Sequence, residues 1–163
     1  MPGIDSSRPP KLYRYSERQW LERALTLGEF RLSPPAVAPG QQAARYLTLG
    51  WTRSWNESLF DAFGVDTCLI VHDTEQFGER LHRAAQKILP SWAGIDAPVY
   101  YGKPSPLGAL FSKERAEAAQ EEWLFAWRPT GAMLPLAPVF VRVGNIEGIA
   151  ELRDKTSPTG LIH

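Results

Sequence analysis

The stretch VDTCLIVHD, residues 65–73, constrains this chain more than any other. Cys68, Leu69, Ile70 and Val71 form a nearly continuous apolar run without polar alternation, the pattern of a strand buried on both faces. Cys68 is the single cysteine, so no internal disulfide can form, and its apolar neighbours mark it as a core residue rather than a reactive thiol. Thr74 then stands where it can cap a helix over residues 75–89, in which Phe77, Leu81, Ala84, Ala85 and Ile88 recur at helical spacing before Pro90 ends the element.

Shorter elements surround this pair. KLYRY (11–15) reads as a strand, and SERQWLERALTLG (16–28) as a helix with Ser16 and Gln19 at capping-box spacing and Gly28 as terminator. EFRLS (29–33) resumes a two-residue period with Phe30 and Leu32 on one face, and PPAVAPGQQ (34–42) breaks it as a loop. A strand is expected in ARYLTLGWTRSW (44–55), followed by a short helix or turn in NESLFDAF (56–63). APVYYG (97–102) reads as a strand, KPSPLGALF (103–111) as a loop, and SKERAEAAQEE (112–122) as a polar helix from Ser112. WLFAWRP (123–129) and LAPVFVRVG (136–144) close the set of strands, with NIEGIAEL (145–152) as a terminal helical turn.

The strands are short, aromatic and turn-rich rather than alternating regularly with helices. The expected class is therefore α+β, a mixed, largely antiparallel sheet with a few helices packed around it. At 163 residues with 44% hydrophobic and 22% charged side chains, residues 11–163 suit one domain with a core of its own. Residues 1–10, carrying Pro2, Pro9 and Pro10, read as a flexible or draped arm. The N-terminal stretch has no secretion-type apolar region and the chain no membrane-length one, which leads us to expect a soluble, cytoplasmic protein or an excised toxin domain with no membrane partner.

Several chemistries lack their residues. Lys plus Arg equals Asp plus Glu at 18 each, so only a local patch could attract a polyanion. Gly-rich phosphate loops, a GxSxG elbow and metal-ligand spacings are all absent, with His82 ten residues beyond His72 and His163 terminal; His72 reads as a framework residue and Asp73 as a helix-entry one. No metal is expected.

What remains is an ordered set: Arg14 in LYRYS, Thr52 and Ser54 in WTRSW, and Gln120 and Glu122 in QEEW. Thr52 and Ser54 lie two apart and so share a strand face, as do Gln120 and Glu122. In order and type this set resembles the R-S-E signature of the ADP-ribosyltransferase superfamily over roughly residues 11–128, with Arg53 departing from the small Ser-Thr-Ser-like triplet. The resemblance implies NAD as co-substrate, with Glu122 on the ribose, Gln120 orienting the acceptor and Arg14 holding ribose or phosphate. Thr52 and Ser54 would brace the pocket around Glu122, and Trp55 would pack the nicotinamide. It also implies a macromolecular acceptor and, for a toxin or conflict effector, a cognate immunity protein or antitoxin. A second similarity, carried by YRYSERQWLERALTLGEFRLSPP, SWNESLFDAFGVDTCLIVHD and QEEWLFAW, is to an uncharacterised bacterial family, and it implies a shared fold without an activity.

The residues leave plainer readings open. Arg14 could pair with Glu17 or Glu29 on a surface strand, Glu122 could close a solvated helix, and Trp51 could be core. The whole could be a non-enzymatic binding protein, an immunity or phage-related factor on the same scaffold.

Overall fold

A computed structural model describes residues 7–35, 46–130 and 137–155. Most of the proline-rich loop and of the N-terminal arm, together with His163, lie outside the described residues. In chain order the elements are β1 (Leu12–Ser16), α1 (Arg18–Leu27), β2 (Glu29–Leu32), β3 (Leu47–Thr52), α2 (Ser58–Phe63), β4 (Thr67–Val71) and α3 (Thr74–Ile88). There follow β5 (Trp92–Pro98), β6 (Tyr100–Tyr101), β7 (Ser112–Lys113), β8 (Glu122–Pro129), β9 (Val139–Arg142) and β10 (Ala150–Asp154), with 3-10 turns at Ala109–Phe111 and Arg115–Gln120.

Six strands form the main sheet in the order β10-β4-β1-β3-β8-β5, every neighbouring pair antiparallel. The pair β2–β9 is antiparallel and joins β3 through the bridge Ser33↔Thr48, while β6–β7 is a short parallel pair. This is an α+β fold with a mixed, mainly antiparallel arrangement. Strand β4 is buried along its whole length, as its apolar run requires, because β1 and β10 flank it and clusters of core side chains cover both faces. Cys68 is buried there, and burial pushes its thiol up to about 12.

The larger core gathers the inward residues of α1 and α3, among them Leu21, Ala24, Phe77 and Leu81, against Leu47, Leu49, Trp51, Trp123 and Phe125 of β3 and β8. On the opposite face α2 lays Leu59 and Phe60 against Tyr15, Cys68 and Ile70.

Several boundaries differ from the sequence reading, each for a local reason. Ser16 cannot cap α1, because it pairs with Thr67 at the end of β1; Glu17 takes the N-cap position without a capping bond, its carboxylate accepting instead from the Gln19 side chain at 3.0 Å. Gly28 ends that helix in the left-handed conformation, and a Cβ there would meet the Gly144 carbonyl, so the site needs glycine on both counts. Asp73, not Thr74, caps α3 by accepting the Gln76 N–H at 3.0 Å, and the Thr74 hydroxyl is spent on the Pro9 carbonyl at 2.7 Å. Ile88 faces outward rather than into the core, 52% exposed. The polar segment from Ser112 is a strand and then a 3-10 turn with no buried residue, and without an apolar face it gains no packing to sustain an α-helix. The expected terminal helical turn is instead β10, whose Ala150 and Leu152 complete the sheet beside Val71 and Leu69.

Candidate active site

Strands β1, β3 and β8 lie side by side, and β3 pairs with β8 along six register positions from Leu47↔Trp127 to Thr52↔Glu122. By contrast, β1 and β3 share the single register pair Tyr13↔Thr52. A seam thus opens between them, and a cavity of about 330 Å³ sits at it. Arg14, Gly50, Thr52, Gln120 and Glu122 line the cavity, with Tyr13 and Phe63 as aromatic walls.

Register partners project to one face of a sheet, so Tyr13, Thr52 and Glu122 share a face and Arg14 starts from the other. What brings guanidinium and acid together is Gly50. Its carbonyl accepts a hydrogen bond from Arg14 Nη1 at 2.6 Å across the seam. On its other side, a Cβ would stand 2.4 Å from Glu122 Oε2, so the carboxylate occupies the space a side chain would take. A glycine inside the strand LTLGWT is the sequence signal for such an approach, and the reading of motifs alone passed over it.

Glu122 is half-buried, its side chain 15% exposed. Lys113 Nζ donates to Oε1 at 2.5 Å, and among the described residues Oε2 has no hydrogen bond. The Glu122 backbone N–H donates to the Tyr101 hydroxyl at 2.8 Å, and burial pushes that phenol upward. Lys113 and Tyr101 come from β7 and β6, the short parallel pair, so this small unit serves to fix the acid. Burial pulls the Arg14 guanidinium down to about 10, with Glu122 opposing the fall, and Arg14 therefore stays charged at neutral pH. Arg14 pairs with neither Glu17 nor Glu29; the latter is held by Arg23 and Arg142.

The hydroxyls divide. Thr52 is buried at the cavity, its Oγ1 donating to the Ser54 carbonyl at 3.2 Å. Ser54 does not line the cavity: its hydroxyl bonds Glu121 Oε2 at 2.7 Å, one residue before the expected partner. Arg53 joins it there, its backbone N–H meeting the Glu121 carbonyl at 3.0 Å. Glu121 is left-handed at φ 40°, a conformation that costs a non-glycine residue about 1 kcal/mol and that these bonds hold in place. The kink turns the chain from the 3-10 turn carrying Gln120 into β8, so strand alternation does not relate Gln120 to Glu122 although both reach the cavity.

Trp55 also lies outside the cavity lining. It packs on Tyr15 and Phe60 with ring centroids 6.1 and 5.4 Å away, donates Nε1 to Glu57, and carries the Arg153 guanidinium 5.6 Å above its ring. The aromatic residues lining the cavity are Tyr13, Tyr15, Trp51 and Phe63, of which Trp51 is also buried core against Phe30 and Phe77.

No family model, curated protein or solved structure matches the chain. Among the described residues, no helix is long and apolar enough to cross a membrane.

Proposed function

We propose that this chain is an ADP-ribosyltransferase-like enzyme that cleaves NAD at the Arg14–Glu122 cavity, either transferring the ADP-ribosyl group to a macromolecule or hydrolysing NAD. One observation carries the reading: Arg14, Thr52, Gln120 and Glu122, drawn from three adjacent strands and the turn before the last of them, line a single hollow.

The chemistry follows from charge. The bond between the nicotinamide nitrogen and ribose C1′ breaks with its electron pair leaving on nicotinamide, and positive charge grows on the ribose. A carboxylate already fixed beside that carbon favours the charged state over the ground state, which is where rate enhancement comes from. Glu122 presents such a group, with Lys113 holding one oxygen and leaving the other over Gly50. Arg14 offers planar donors to a phosphate or ribose oxygen, and on this reading Gln120, also at the cavity, orients the incoming water or acceptor hydroxyl. That nucleophile adds to C1′ and releases its proton. Tyr13 and Phe63, rather than Trp55, supply the aromatic surface for the nicotinamide ring. On this reading the protein works in the cytoplasm, where NAD is available, as a toxin or conflict effector with a cognate immunity protein or antitoxin.

The test is nicotinamide release from NAD, followed by chromatography. The parent protein is expected to release it, and Glu122→Ala to slow release by about a hundredfold or more. A parent that releases none while correctly folded sinks the proposal and leaves the alternative, a non-enzymatic immunity or phage-related binding protein.

A further inference from the structure

A second cavity lies away from the Arg14–Glu122 hollow, a groove of about 740 Å³ between α3, Arg23 of α1 and the β2–β9 pair. Its charge is lopsided. Arg80, Arg83 and Lys87 fall on one face of α3 at helical spacing, and Arg23 and Arg142 face them from across the groove. The one carboxylate present, Glu29, is already shared by Arg23 and Arg142, at 2.8 and 3.0 Å. Five cations against one acid leave a net of about four positive charges in a protein whose formal net charge is zero. Arg83 and Lys87 make no ion pair among the described residues.

The second component is aromatic. Phe140 lies on the outward face of β9 beside Arg142 and is 56% exposed, so its ring is open to a ligand lying among the cations. It stands at the junction of the groove with a smaller hollow of about 200 Å³ that continues past Arg31 to the back of Arg14. Cations spaced along a groove with an exposed ring among them match a chain of phosphates carrying flat bases. An acidic peptide would use the cations and leave Phe140 unexplained, and a duplex hides the base faces that a ring stacks on.

We propose that this groove binds single-stranded nucleic acid, with phosphates along Arg80, Arg83 and Lys87 and a base stacked on Phe140. The inference is independent of NAD, since it rests on residues outside the Arg14–Glu122 cavity.

Fluorescence anisotropy with labelled oligothymidylate and oligouridylate, without NAD, tests it. Binding is expected at low salt, with log K falling against log salt at a slope of about −2, as three phosphate contacts on a single strand require. Arg83→Gln with Lys87→Gln should flatten that slope by about 1.4. Phe140→Ala should weaken binding about tenfold at unchanged slope, and Phe140→Tyr should retain it. All three positions are exposed or edge sites, and thermal melts confirm that the variants fold. No binding at low salt, Phe140→Ala binding like the parent, duplex binding as tightly as single strands, or polyglutamate competing as well as oligothymidylate would each overturn the proposal, the last in favour of an acidic protein partner.

Discussion

Two carboxylates, Glu122 on β8 and Asp96, which accepts from the next residue of β8, have opposite fates. Asp96 on β5 is 7% exposed and saturated: Arg8 grips both its oxygens at 2.7 and 2.9 Å, His82 Nε2 lies 2.7 Å away, and Trp123 Nε1 donates at 2.9 Å. Glu122, one residue from Trp123, has a single donor on one oxygen and faces a cavity. A buried charge with every lone pair engaged has no capacity left for a ligand and serves to fasten pieces of chain together. Here it fastens the described end of the N-terminal arm, which lies draped against α3 and β5, with Pro9 bound to Thr74 and Arg8 also reaching Glu75. The half-satisfied acid is the one free to act on something else.

Removing each acid should separate the two roles. Asp96→Ala strands Arg8, His82 and Trp123 and is expected to cost about 3–5 kcal/mol in urea unfolding, whereas Glu122→Ala should stay within about 1 kcal/mol. Equal losses would erase the distinction.

Acid should sharpen it. Burial by itself would raise the Asp96 carboxyl, but hydrogen bonds from His82, Arg8 and Trp123 overcome this and hold it at about 2. A folded value below the unfolded one, about 3.9, means the stabilisation is complete above the unfolded value and is lost as pH falls through the interval toward 2. About 2 kcal/mol should disappear over that window, and Asp96→Asn should flatten this limb of the urea midpoint against pH.

A similarly small effect on stability is expected at Gly50. Gly50→Ala puts a methyl where Glu122 Oε2 lies, and the flexible end of that side chain can swing aside for about 1 kcal/mol. The carboxyl carbon of Glu122 should shift measurably in NMR as it leaves its place, while the Asp96 resonance stays put. An unmoved Glu122 signal would remove Gly50 from the account.

Much of the scaffold was legible because local pattern and tertiary demand agree. The apolar run at Cys68–Val71 and the spacing of Phe77, Leu81 and Ala85 each specify one buried surface, and the fold supplies it. Legibility failed where the deciding partner is remote. Ile146, Ile149 and Ala150 have helix-compatible spacing, and only the open edge of β4 draws the chain from Ala150 onward into a strand. Ser54 and Glu122 looked like partners, but the left-handed turn at Glu121 shifts the contact by one residue. Lys113 carries no mark in sequence, since its role exists only because β6 and β7 set it beside Glu122. A balanced composition likewise hides the cationic groove, whose charges come from α1, α3 and β9 and meet only in space.

The thin stitching between β1 and β3 has a mechanical corollary. Where β1 and β4 are laced together at five positions, the central join is made at one, so the sheet behaves as two leaves sharing a narrow spine. A molecule entering at that spine would meet one register pair, against five between β1 and β4 and six between β3 and β8.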